Sequence, residues 1–238
     1  MERESFHLDF MLEILPKLIE VLPLTIMMAV FAIVIGCLWG LLLTFCKVSK
    51  HRKIAGLIDG ITVIVRAVPE VVLIYIVYFG LPELSKDLFG YDMGTWEKPV
   101  FVVLALAIEL SASSSELFRS AYNSLDPGQL EAAHALGMTG TQKFMRIIYP
   151  QGLFVILPNL SGLCLGIIQA TSLAYTLGIM DVMGKAKVLD SNAFSMSTFE
   201  AYLLVALIYW GLSFIEGWIF KVLEARMGRG MRTVASGA

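Results

Sequence analysis

Glu131 to Pro150 reads EAAHALGMTGTQKFMRIIYP. It is the longest polar, helix-compatible interruption in a chain otherwise built of apolar runs. Leu130, Ala133, Leu136 and Gly137 recur at three- and four-residue spacing, the period of a helix. Gly137 and Gly140 are expected to end that helix, because glycine leaves helical geometry most readily. A second amphipathic run follows, with Phe144, Ile147 and Ile148 apolar and Lys143 and Arg146 charged. Pro150 sits where a helix starts or kinks. The expectation is a short helix, a turn and a second helix outside the bilayer, wedged between two membrane spans.

The rest of the chain agrees. Hydrophobic residues make up 57% of the 238, charged residues only 16%, and the mean hydropathy is +0.75. A soluble domain carries about a quarter charged residues. The fold class expected is therefore all-α and integral to the membrane, with about five transmembrane helices. Working outward from the polar stretch, a span follows at 152–180 and another precedes it at 99–122. Beyond these lie spans at 201–221, 55–81 and 22–46. Residues 6–20 alternate apolar with charged (Asp9, Glu13, Lys17, Glu20), as an amphipathic helix at the interface does. The segment 1–20 is thus expected to be an N-terminal interfacial helix on the extracytoplasmic side. No cleavable signal peptide is expected, because MERESFHLDF lacks a basic region before an apolar core.

Orientation follows from charge. The stretch 47–53, KVSKHRK, holds four Lys or Arg and no acid, which marks it as cytoplasmic. Across the segments expected inside (47–53, 116–147, 221–238) there are eleven Lys or Arg, against six in those expected outside (1–20, 82–98, 181–200). The N-terminus is then outside and the C-terminus, with the tail 226–238, in the cytoplasm.

Polar residues inside the spans are few, and a charge facing lipid is expensive. Arg66 and Glu70 are four apart and can pair on one helix face, with Pro69 disturbing the backbone between them. Arg66 has two readings, a functional charge or a side chain snorkelling to the interface. Glu109 and the run Ser111 to Ser115 are expected to face a bundle interior. Glu116 and Arg119, three apart, can pair near the cytoplasmic end. Gly36 and Gly40, like Gly162 and Gly166, are small residues four apart: a surface for close helix packing, or incidental glycines. Gln169, Thr171 and Ser172 can hydrogen-bond a polar solute or a neighbouring helix.

Several ordered segments resemble one family. Glu131-Ala132-Ala133, then Gly137, then Ile147 and Pro150 at fixed spacing are similar to the cytoplasmic loop motif of permease subunits of bacterial ATP-binding-cassette importers. Tyr149 departs from the usual Leu and leaves the spacing intact. Arg66, Pro69, Tyr78, Phe79 and Gly80 resemble the second span of the polar amino-acid permeases (the histidine, glutamine and cystine group). Ala67-Val68 stands where many relatives have Gly-Thr. Ser115-Glu116-Leu117-Phe118-Arg119 and Thr171-Ser172-Leu173 match further segments. The run Thr171 to Gly178 and Met183 to Ala186 most resembles permeases for cystine and related amino acids.

The resemblance implies a transmembrane domain over 21–225 with a cytoplasmic docking loop at 124–149. Glu131, Ala132, Ala133, Gly137, Ile147 and Pro150 would form the coupling helix region. It implies a second permease chain, identical or homologous, and a pair of ATP-binding subunits beneath. An extracytoplasmic solute-binding protein would deliver the amino acid. The substrate path would draw on Arg66, Glu70, Glu109, Gln169, Thr171 and Ser172. The location implied is the bacterial inner membrane, multi-pass and in contact with lipid.

Other chemistries lack support. Gly178 to Lys185 resembles a phosphate loop, but its spacer is one residue too long and Ala186 stands where Ser or Thr binds magnesium. No ATPase site, and hence no enzyme activity, is expected here; ATP and Mg belong to the partner subunit. The chain itself is expected to need no cofactor. Three cysteines and three histidines show no metal-ligand spacing. No nucleophile, base and orienting partner are nominated by spacing, and the basic residues follow topology and so give no support for nucleic-acid binding. A secondary transporter or channel subunit is the alternative, although no internal repeat is visible and five spans are few for a monomeric pathway.

Overall fold

The computed structural model describes residues 7–49, 51–193 and 197–235. The first six residues of the expected 1–20 segment and the end of the 226–238 tail lie outside the described residues. Every regular element among those described is helical.

Helix α1 runs unbroken from Leu8 to Lys47, 40 residues, or about 60 Å at the usual rise. The sequence reading separates an interfacial helix from a first span; the two are one rod, with Pro16 and Pro23 inside it. The apolar stripe of its first part is packed on protein. Met11, Ile14 and Leu18 are buried against Val182 and Ala186 and against Ala201, Leu204 and Val205. That contact packs the part of the helix that contains Pro16, and the helix continues through both prolines although each removes one backbone donor.

Helix α2 (Arg52–Ala67) ends at Val68, whose backbone is extended as the residue before a proline prefers. Pro69 then caps α3 (Glu70–Tyr75), which passes through a π turn at Ile76–Gly80 into α4 (Leu81–Phe89). The chain bends by 109° between the two arms. The span expected at 55–81, with its backbone disturbed at Pro69, is a bent pair. Among the described residues four helices are long and apolar enough to cross a membrane, and the bent pair makes up to five.

Helix α5 (Lys98–Asn123) is the centre of the bundle. Phe101, Val102, Ala105, Leu106 and Leu110 pack with Met28, Ala32, Ile74 and Ile167. Ser111, Ser114 and Ser115 are buried as expected, and their hydroxyls donate to carbonyls one turn back in α5. Gly36 and Gly40 of α1 let α5 approach: a β-carbon at Gly36 would stand 2.8 Å from Leu110 Cβ, and one at Gly40 would overlap Ser114 Oγ.

Then come α6 (Pro127–Ala135), α7 (Gly140–Lys143), a π turn at Phe144–Ile148, and α8 (Tyr149–Ala170). Pro158 lies inside α8 without ending it. A 3-10 stretch, Thr171–Leu177, closes the run. Both π turns end two residues before a proline, Pro82 and Pro150. A proline strands the carbonyl four residues back, and a wider turn accommodates it. The chain finishes with α9 (Val182–Asn192), in the 181–200 segment expected outside, and α10 (Thr198–Ala235).

Candidate functional site

The 124–149 loop is a short helix, a glycine turn and a second helix, each end with a defined closure. Asp126 caps α6 by accepting from Gly128 N at 2.8 Å. At the far end Gly137 adopts φ +71°. Met138 N donates to Ala133 O and Gly137 N to His134 O, both at 3.0 Å, the paired closure that stops a helix with glycine in the left-handed region. Gly140 is the first residue of α7 and ends nothing. Thr139 restarts the helix through a capping box with Gln142. Gln151 donates to Gln129 at 2.8 Å, tying the start of α8 to α6. Glu131 and Ala132 are exposed and Ala133 is buried. Leu136 is 79% exposed. Ile147 is half-buried in the π turn and Pro150 opens α8. The six residues thus share one hairpin, with Glu131, Ala132 and Leu136 presented outward.

A buried ionic cluster lies two to three turns back along the spans. The Lys47 ammonium, its side chain 0% exposed, donates to Glu116 Oε1 at 2.5 Å and Thr62 Oγ1 at 2.9 Å. Asp59 Oδ1 is 3.5 Å away. Glu116 Oε2 accepts from Arg119 at 2.6 Å, the pairing expected from their spacing. Sequence reasoning missed Lys47, which reads as one more positive charge in a basic loop. Its position gave it away: 36, 40, 44 and 47 are one helical stripe, and Gly36, Gly40 and Thr44 face α5.

The expected path residues fall into two groups. Glu109 is half-buried, accepts from Ser113 at 3.1 Å, and feels the charges of both Glu70 and Arg66. Arg66 and Glu70 do not form the same-helix pair expected of them, because the chain leaves helical geometry at Val68 and Pro69. Both are exposed, on either side of the bend. Gln169, Thr171 and Ser172 lie where α8 gives way to the 3-10 stretch. Thr171 is fully buried and donates to Ile168 O at 2.7 Å; its hydroxyl also meets the Tyr209 hydroxyl at 3.3 Å. Gln169 is exposed and Ser172 half-buried.

At the end of the bundle away from the hairpin, Lys98 donates to Leu177 O at 2.9 Å. Beside it an open cleft of about 730 Å³ is lined by Tyr75, Tyr78, Phe79 and Thr176. Nearby, Asp181 caps α9 by accepting from Gly184 N at 2.9 Å. It is 0% exposed, and its Oδ2 has no hydrogen-bond partner, though the Tyr209 hydroxyl lies beside the carboxylate. Burial pushes its carboxyl up to about 6. Among the described residues no group of His, Cys, Asp and Glu is arranged to hold a metal ion.

An all-helical membrane bundle with polar side chains turned inward, and a capped polar hairpin between two spans, defines a transport permease. A family profile described as "Binding-protein-dependent transport system inner membrane component" matches residues 32–229. The chain belongs to that family. It is 33% identical over 225 residues to the probable amino-acid permease protein YxeN of Bacillus subtilis (strain 168), covering 94% of this chain and 97% of that one. It is 27% identical over 233 residues to the L-cystine transport system permease protein TcyL of the same organism, covering 98% and 96%. A solved amino acid ABC transporter with histidines superposes at a TM-score of 0.77, with 28% identity over 91% of this chain and 96% of that one.

Proposed function

We propose that this chain is the permease subunit of an ATP-driven importer of polar amino acids, cystine or a related amino acid being the favoured substrate. Solute arrives from an extracytoplasmic binding protein. A separate pair of ATPase subunits grips the hairpin from the cytoplasm, and a second permease chain completes the pathway. ATP and Mg are bound by the partner, not here. The N-terminus is outside and the C-terminus inside, as the eleven-to-six distribution of Lys and Arg favours. Arg66, Glu70 and Glu109 offer both signs of charge to a zwitterion, with Gln169, Thr171 and Ser172 further along the path. The cleft beside Lys98 has the volume of a small-molecule site.

One observation carries the reading: α6 is stopped at Gly137 and the helix is restarted at Thr139 by defined backbone closures, so Glu131, Ala132 and Leu136 sit on a lever whose far end is fixed by hydrogen bonds. A lever transmits movement only if it does not bend, and a ligand acting on a partner can then bias two states of the spans. The test is the complete transporter in vesicles, carrying Glu131→Ala or Gly137→Pro. Amino-acid uptake should collapse while membrane insertion is kept and ATP is still hydrolysed. Normal uptake by the Gly137→Pro transporter would sink the coupling assignment.

A further inference from the structure

Lys47 sits on three helices at once. It leaves α1 as its last residue, meets Glu116 on α5, and meets Thr62 and Asp59 on α2. An ammonium has three protons to donate, and three acceptors surround this one within 3.5 Å. Arg119 occupies the other oxygen of Glu116. The cluster pairs two cations with two carboxylates and leaves no net charge. Lys47 at its centre is out of water while Asp59 and Arg119 are partly exposed at its edge, so it is the loss of Glu116 that would strand the buried ammonium.

Its mechanical position is the informative part. Thr62 is the only buried residue of α2; Ile54, Leu57, Ile61 and Ile64 all face outward. Lys47 thus holds the one buried residue of α2, while half-buried Val65 rests on the central core. On one side the cluster is joined through Glu116 and Arg119 to the last turns of α5, which lead directly into the hairpin. On the other it is joined to α2, which ends at Arg66 and the Pro69 bend, in the electrostatic reach of Glu109. Bonded contacts therefore run from hairpin to α5, to Lys47, to α2, and on to the charges in the path.

We propose that Lys47, with Thr62 and Asp59, is a positioning device that makes α2 follow α5, so that movement of the hairpin re-aims Arg66 and Glu70. The inference rests on the importer reading above. It adds a route by which the loop reaches the path, through a side chain that otherwise reads as a topology signal.

The test cuts only the tie to α2. The double variant Asp59→Asn/Thr62→Val keeps Lys47 paired with Glu116. It is compared with the wild type and with Thr62→Ser, which retains the hydroxyl. Each is assembled with its ATPase and binding protein in vesicles, and uptake and ATP hydrolysis are measured on the same preparation. Hydrolysis by the double variant should stay within about twofold of wild type, while amino acid imported per ATP falls about tenfold, a typical coupling magnitude. Thr62→Ser should retain wild-type coupling. An unchanged ratio in the double variant overturns the proposal. So does a parallel fall in uptake, hydrolysis and assembled complex, which marks a merely structural contact. A wild-type complex that neither hydrolyses ATP in response to binding protein nor imports amino acid defeats the importer reading instead, and so the two failures are separable.

Discussion

Replacing Asp181 with Asn should stabilise the protein at neutral pH and leave it unchanged in acid. The carboxylate is fully buried, one oxygen caps α9 and the other has no hydrogen-bond partner. Burial is the largest influence and raises its pKa from 3.8 to about 6. The folded state therefore holds the proton more tightly than the unfolded chain. Stability falls as pH rises from about 4 to about 6, and above that the full penalty is present. Roughly two pKa units correspond to about 2–3 kcal/mol. Asparagine caps a helix about as well as aspartate and carries no charge, so most of that penalty is lifted. For a chain of this size about 2 kcal/mol is a melting shift of roughly 4–8 °C. Melting the purified protein in nanodiscs at pH 4, 6 and 8 measures it. The gain should be largest at pH 8 and absent at pH 4. An equal gain at every pH, or a loss at pH 8, would refute the argument from the buried charge.

Gly36→Val should lose about 1–3 kcal/mol, because the added atoms meet Leu110 Cβ, which cannot move without α5; a melt of the purified variant measures the loss. Gly137→Ala should cost about 1–2 kcal/mol through its left-handed backbone alone, since nothing stands within 4 Å. Gly140→Ala, equally open but in ordinary helical geometry, should be neutral or stabilising, and side-by-side melts decide between the two.

Much of this architecture was legible because it is local. The helix, glycine stop and second helix of 131–150 follow from spacing, and Glu116 pairs with Arg119 because they are three apart. The Gly36 and Gly40 packing surface is also a spacing argument; only its partner, α5, needed the structure. What escaped depends on contacts distant in sequence. The charged residues of 6–20 read as a separate interfacial helix, but α9 and α10 pack on that part of α1, which continues into the span as one helix. Arg66 and Glu70 look like a helical pair until Pro69 turns the chain away. Thr171 reads equally as a solute ligand or a helix contact, and only its burial beside Tyr209, 38 positions away, distinguishes what it touches.

The widened turn before Pro150 has a consequence for everything downstream of it. One residue of α-helix is about 100° of rotation, and a π turn inserts that much offset. The azimuth of α8 is therefore indexed by residues 144–148. Ser161, thirteen positions past the end of that turn at Ile148, reaches Glu216 at 2.9 Å with the phase so set. A change that restored ordinary winding there would swing the glycine face of α8, Gly162 and Gly166, to a new bearing without altering a single residue on that face.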